Sequence, residues 1–191
     1  MKRVMVTLLV ATVVSAGAPF AFGTQAAGPE ADEVVATFFL RPRNIPPSNQ
    51  CTGEDGGNYL KQIGVWRGGS IDSSPGPGPD VPLDGSLTVR ATFTINESTG
   101  IGVATGTVSL SNATNSGFDT SEFNGVAREA NGRIKTVGFL SALLVDHGSH
   151  IGDRLLANLK LSFDLGSGDM TGTLGGGTSG GLAVEYNGAT C

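Results

Sequence analysis

Charged side chains are scarce in this chain, and basic ones are scarcer than acidic ones. Only 15% of its 191 residues are Asp, Glu, Lys or Arg, and the formal net charge at pH 7 is −5. Beyond the first three residues, basic side chains come no closer together along the sequence than the separated pair Arg41 and Arg43. Nucleic acids and anionic membranes bind clustered positive charge, so the sequence predicts neither as a partner.

Long hydrophobic runs are missing except at the start of the chain. A charged beginning there precedes VMVTLLVATVVSAGA, which has the length of the apolar part of a secretory signal peptide and is too short to span a bilayer comfortably. Cleavage is favoured after Ala26, with a site near Ala18 as the alternative. We therefore predict a signal peptide over residues 1–26, a single domain over residues 27–191, and a secreted or otherwise extracytoplasmic protein with no membrane anchor.

Cysteine occurs only twice, at Cys51 and Cys191. No Cys-x-x-Cys motif is present, so a redox or metal-binding pair is not indicated. An even pair in a secreted chain is most simply one disulfide. This bridge would close nearly the whole domain, and the lost loop entropy is worth up to about 4–5 kcal/mol.

Histidine is equally rare, and both copies lie in the segment LLVDHGSHIGDRLL. His147 and His150 stand there beside Asp146 and Asp153. Two imidazoles and a carboxylate could hold zinc and leave one position open, and acid–base catalysis is a second possibility. The favoured alternative is a polar connection between strands, because metal sites usually draw their ligands from separate rigid elements, whereas these four groups lie within eight residues.

Glycine is abundant, with 30 copies or about twice its usual share, which is not typical of a helical bundle. From residue 83 onwards apolar and polar residues alternate with period two, the pattern of strands with one buried face. Residues 131–132 are Asn-Gly, which favours a tight type I′ turn. The predicted strands are EVVATFFLR, YLKQIGVWRGGSI (one or two strands), LTVRATFTIN, IGVATGTVSL, SEFNGVAREA, RIKTVGFLSALLV, LLANLKLSFDL, MTGTLGG and LAVEYNG.

This order of strands predicts an all-β fold, a single antiparallel β-barrel of about eight strands, with a two-sheet β-sandwich as the alternative. The proline-bearing stretches PRNIPPSNQ and SSPGPGPDVP are expected to be loops. Gly102 and Gly106 are expected to mark bends or bulges in a curled sheet.

Two aromatic positions are candidates for a ligand site. Trp66, the single tryptophan, is either a core ring whose indole N–H needs an acceptor or a ligand-stacking platform with Arg67 beside it. Of the adjacent Phe38 and Phe39, one ring should face the core and the other should need cover from a loop, a ligand or another subunit.

The leading hypothesis from the sequence is a secreted, non-catalytic barrel that binds a small apolar ligand or a partner surface. One alternative is a barrel enzyme of isomerase or cyclase type that acts on an apolar substrate, and another is a structural surface protein with a filled barrel. The strand pattern resembles that of the small secreted barrels of lipocalins, dirigent proteins and allene oxide cyclases, which implies a barrel but brings no signature residues. No motif predicts a cofactor, and nothing in the sequence sets an oligomeric state.

Overall fold

The computed structural model describes residues 35–73, 83–111, 117–143 and 154–175. All of them belong to a compact unit that spans Asp32–Cys191. Residues 1–34, and with them the predicted signal peptide, lie outside the described ranges. The predicted last strand, LAVEYNG, also lies outside them.

Strands make up 80% of the described residues, and no helix occurs among them. The nine strands are Val35–Asn44 (β1), Asn49–Thr52 (β2), Asn58–Asp72 (β3), Gly85–Asn96 (β4), Ile101–Ser111 (β5), Gly117–Ala130 (β6), Arg133–Leu143 (β7), Arg154–Asp164 (β8) and Met170–Gly175 (β9).

Eight of these strands close into an antiparallel β-barrel. The sheet order is β1-β9-β8-β7-β6-β5-β4-β3-β2, and β1 also pairs with β3, which joins the two sides of the sheet. Closure gives each barrel strand a partner on both sides and so removes the unpaired edges that promote aggregation. The predicted barrel is therefore confirmed, and β2 is an additional short strand beside the start of β3.

The prediction of a loop over residues 42–50 was partly wrong. Pro42–Asn44 continue β1, and Asn49–Thr52 form β2. The pairing of β1 with β3 shifts register between Pro42 and Asn44, and proline, which lacks an N–H, is tolerated at such an irregularity. Since β2 is only four residues long, its alternation is too brief to stand out beside two prolines.

Glycines allow the tight turns and close strand contacts of this barrel. Asn131 and Gly132 have φ angles of 56° and 72°, as the predicted type I′ turn requires. Gly102 and Gly106 lie where β5 crosses close to β4, and a Cβ atom on either would overlap the carbonyl oxygen of a β4 residue. The β4–β5 register runs without a shift through both glycines, so neither marks a bulge there, and their observed role is the close approach of the two strands.

Candidate functional site

The interior of the barrel is filled by side chains. Most apolar side chains that alternation turns inward have almost no accessible surface, from 0% at Leu87, Phe93 and Leu159 to 5% at Phe38 and Leu155. A cavity large enough for water would leave its lining accessible, so the described strands enclose little free space. Eight strands form a barrel just wide enough for side chains to fill.

Trp66 lies at the centre of an aromatic cluster inside the barrel. Its side chain is fully buried, and its ring meets Phe93 and Phe163 edge-on at centroid distances of 6.0 and 5.1 Å. The indole N–H donates a hydrogen bond to the backbone oxygen of Gly168 at 2.9 Å. Trp66 therefore has the acceptor and the packing expected of a core ring.

Trp66 and Arg67 do not converge on one site. They are neighbours on β3, so their side chains point to opposite faces of the sheet. Trp66 is buried inside the barrel, whereas Arg67 is exposed outside, and its Nε donates to Ser86 Oγ at 3.2 Å. A single ligand could therefore contact both side chains only by passing through the barrel wall.

The end of the barrel near Trp66 is covered by the chain itself. Ile45, between β1 and β2, packs against the core, and the Gln62 side-chain amide donates to the Pro46 oxygen at 3.0 Å. Beside Ile45, the turn between β8 and β9 supplies the Gly168 carbonyl oxygen to Trp66. These contacts close that end over the aromatic cluster.

Asp164 holds this turn in shape. Its carboxylate accepts hydrogen bonds from the backbone N–H groups of Gly166 at 2.9 Å and Ser167 at 3.0 Å, and it forms an ion pair with Arg133 at 3.0 Å. The two backbone donors, followed by the positive charge of Arg133, lower the pKa of Asp164 below its ordinary value. The turn that positions the Gly168 oxygen is therefore favoured by an ionised Asp164.

The candidate metal residues and the last cysteine fall outside the described ranges. Asp146, His147, His150 and Asp153 all belong to the connection between β7 and β8, residues 144–153. Within the four described ranges, no three His, Cys, Asp or Glu side chains form a group able to hold a metal.

Cys51 is half-buried in β2, with its Sγ 3.7 Å from the backbone oxygen of Tyr59. Its expected partner, Cys191, is not among the described residues. The disulfide therefore stays a prediction.

The outer surface has an uneven charge distribution. Five neighbouring strands, in the order β9-β1-β3-β4-β5, carry no Asp or Glu at the outward positions that the structure describes. These positions carry Arg41, Lys61, Arg67 and Arg90, and Arg43 is exposed at the register irregularity of β1. The described carboxylates lie instead on β6, at strand ends and in turns, so the described part of the barrel has one positively charged side.

Strand register brings arginines from three strands together on this side. Arg41 on β1 is directly opposite Arg67 on β3, and Arg90 on β4 is diagonal to Arg67, whose direct partner is Thr88. Arg43 is two residues beyond Arg41 on β1. We call Arg41, Arg43, Arg67 and Arg90 the arginine cluster.

Nothing in the described chain neutralises the arginine cluster. All four side chains are exposed, and none forms an ion pair with a described carboxylate. Like charges directly opposite each other on neighbouring strands destabilise a sheet. The Arg41–Arg67 pair is therefore a cost that no carboxylate in the described ranges offsets.

An exposed aromatic ring lies beside the arginine cluster. Phe39 precedes Arg41 on the same face of β1 and is 48% exposed, whereas Phe38 is 5% exposed and faces the core, as the sequence predicted for one of the two. The residue directly opposite Phe39 on β3 is Gly69, and a Cβ atom placed there would meet nothing within 4 Å. The ring thus lies next to open space on the outer surface.

Sequence reasoning singled out Arg67 but missed the cluster to which it belongs. Arg90 lies in LTVRATFTIN, where the alternation was used only to find the buried face. The signal was available on the other face of the same strand, where one arginine stands among threonines without any acidic residue.

No protein-family model, curated protein or solved structure matches this chain. Across the described ranges there is no helix long and apolar enough to cross a membrane. Geometry and charge are therefore the basis on which a function can be assigned.

Proposed function

We propose that this protein is a secreted, non-catalytic β-barrel that binds a partner through its outer surface. The observation that carries the proposal is the contrast between the two faces of the barrel wall. Most apolar side chains of the inner face are almost inaccessible, and the outer face presents an arginine cluster that pairs with no described carboxylate, beside the exposed Phe39.

The packed interior favours an outer surface over an internal ligand. A drug-sized ligand site is typically a cavity of about 300–1,000 Å³ lined by accessible side chains. The inward residues of the described strands have too little accessible surface to line such a cavity. Binding of a partner on the outer surface therefore has more support than binding of a small apolar ligand inside the barrel.

The buried polar groups also favour a non-catalytic role. Those in the described part of the barrel are Gln62, Ser70, Ser121 and Thr136, which have no ionisable side chain. General acid–base chemistry needs a titratable group within reach of a substrate. The described core cluster contains none, since the buried phenol of Tyr59 lies outside it and donates to Asp55 Oδ2 at 2.7 Å, which supports binding over an isomerase or cyclase activity.

A barrel with a purely structural role would share this interior but not this exterior. Repulsion between Arg41 and Arg67 brings a structural protein no advantage, since replacing either residue by a neutral one would relieve it. A binding role explains why the two arginines are opposite each other, because an anionic partner would neutralise both.

Co-sedimentation with the insoluble extracellular fraction of the source organism tests the proposal. The mature protein, residues 27–191, should co-sediment with this fraction, and replacing Arg41, Arg67 and Arg90 by Gln should weaken the association at least tenfold. Native mass spectrometry of protein purified from its source should find no retained apolar ligand. A stoichiometric lipid-like ligand, together with undiminished co-sedimentation of the triple variant, would overturn the proposal.

A further inference from the structure

We propose that the arginine cluster and Phe39 together form a binding site for an acidic polysaccharide whose sugar rings carry carboxylates. This inference rests on the proposed function and names the chemistry of the partner. Three features of the molecule support it: the arginine side chains, the groups beside them and the net charge of the chain.

The type of cation fits a carboxylate, and the spacing of charge discussed below favours it over a more densely charged phosphate polymer. All four members of the cluster are arginine, whose planar guanidinium can donate two parallel hydrogen bonds to one carboxylate. Arg41 and Arg67 are direct cross-strand partners, so two such groups start from adjacent positions on the wall. Arg90 extends the row onto a third strand.

The neighbouring groups point to a sugar. Phe39 offers an exposed aromatic face beside the bare backbone of Gly69, and the C–H face of a pyranose ring packs well on such a surface. Thr88 and Ser86 on β4 lie directly opposite Arg67 and Gly69. Their side chains share the outer face with the arginines and can bond to sugar hydroxyls.

The charge of the whole chain favours a sparsely charged polymer. Double-stranded DNA carries one charge per about 1.7 Å of helix axis, and binding it requires extensive positive surface. This chain has a net charge of −5, and its described carboxylates border the cationic side at turns and on β6. A polysaccharide with one carboxylate per sugar ring carries fewer negative charges, so these carboxylates repel it less than they repel DNA or an anionic bilayer.

Isothermal titration calorimetry of the mature protein with uronic acid hexamers tests this site. The probes are hexagalacturonate and hexamannuronate, which each carry one carboxylate per ring, and fully methyl-esterified hexagalacturonate as the uncharged control. We expect at least one acid hexamer to bind with an affinity that falls as salt rises, and the ester to bind at least tenfold more weakly.

Two double variants separate the cluster from net charge. Arg41→Gln/Arg67→Gln and Arg128→Gln/Lys135→Gln each remove two charges from exposed residues that are directly opposite each other on neighbouring strands. The first should weaken hexamer binding at least tenfold, and the second should change it less than twofold. Phe39→Ala should weaken binding several-fold without altering the salt dependence. Thermal unfolding of each variant checks that the barrel remains folded.

Several outcomes would overturn the inference. Equal losses in the two double variants would mean that net charge, and not this site, governs binding. Tighter binding of a DNA duplex or of phosphatidylserine vesicles than of either hexamer would assign the surface to another polyanion. If neither hexamer binds but co-sedimentation still depends on the arginines, the polysaccharide inference fails and the proposed outer-surface function stands.

Discussion

Adding one methyl group at Gly64 should reveal how tightly the barrel interior is filled. A Cβ atom at this position would overlap the Trp66 ring and lie 2.8 Å from its Cζ2 atom. The ring cannot move aside easily, since it is fully buried between Phe93 and Phe163 and hydrogen-bonded through its indole N–H.

The expected magnitude follows from two opposing effects. Overpacking a close-packed core costs about 1–3 kcal/mol, whereas replacing glycine by alanine restricts the unfolded chain and returns about 0.4–1 kcal/mol. We expect Gly64→Ala to lower the free energy of unfolding by about 1–2 kcal/mol, which corresponds to roughly 2–8 °C in melting temperature for a domain of this size.

A second substitution identifies the cause. Trp66→Phe removes the indole donor from the Gly168 oxygen and leaves space beside Gly64, and we expect it to cost about 2–4 kcal/mol by itself. In that background the added methyl at Gly64 should cost close to nothing, because the smaller ring makes room for it. The two substitutions should therefore show a coupling energy of about 1–2 kcal/mol.

The free energies of unfolding of the wild type, the two single variants and the double variant are measured by urea unfolding. Far-ultraviolet circular dichroism is the signal, because it does not depend on tryptophan. Gly69→Ala is the matched control, since it adds the same methyl on the outer side of β3, where nothing lies within 4 Å. Equal costs of Gly64→Ala in both backgrounds, or a cost no greater than that of Gly69→Ala, would refute the packing argument.

Three further predictions concern turns and buried hydroxyls. The pKa of Asp164 is lowered in the folded protein, so the ionised carboxylate stabilises the fold. This stabilisation is complete above the ordinary aspartate pKa of about 3.9 and is lost as the pH falls through the folded-state pKa. Asp164→Asn should therefore lower the urea midpoint at neutral pH, and the midpoints of the variant and the wild type should converge in acid. Gly132→Ala should cost about 1 kcal/mol in the same assay, since φ is 72° there; a neutral result would contradict the type I′ turn. Thr136→Val should raise the melting temperature, because the buried Thr136 hydroxyl has no hydrogen-bond partner among the described residues and removing it avoids a desolvation cost of about 1–3 kcal/mol. Thr105→Val, on the exposed outer face of β5, is the control and should be nearly neutral.

The sequence was most informative where local chemistry and tertiary structure agree. Strict alternation in LTVRATFTIN matched the burial of β4 residue by residue, and the Asn-Gly dipeptide gave the turn between β6 and β7. It was least informative at β2, where four residues beside two prolines carry too little pattern to predict a strand. Residues Asn49–Thr52 form a strand because they pair with the start of β3.

Almost none of the candidate site could be predicted from the sequence. Arg41, Arg67 and Arg90 are separated by more than twenty residues each, so no local window shows them as a group. The negative net charge of −5 gave no reason to expect a cluster of positive side chains. Phe39 could be recognised as a ring in need of cover, but its open neighbour, Gly69, is 30 positions away along the chain.

The sequence alone determined that the chain forms antiparallel strands with one buried face, because alternation and turn chemistry act over a few residues. It also determined the small number of charges and their sign. Only the tertiary structure decided that the sheet closes, that Trp66 and Arg67 lie on opposite sides of its wall, and that arginines from three strands form one surface. These properties depend on strand register and closure, which pair residues far apart in the chain through backbone hydrogen bonds.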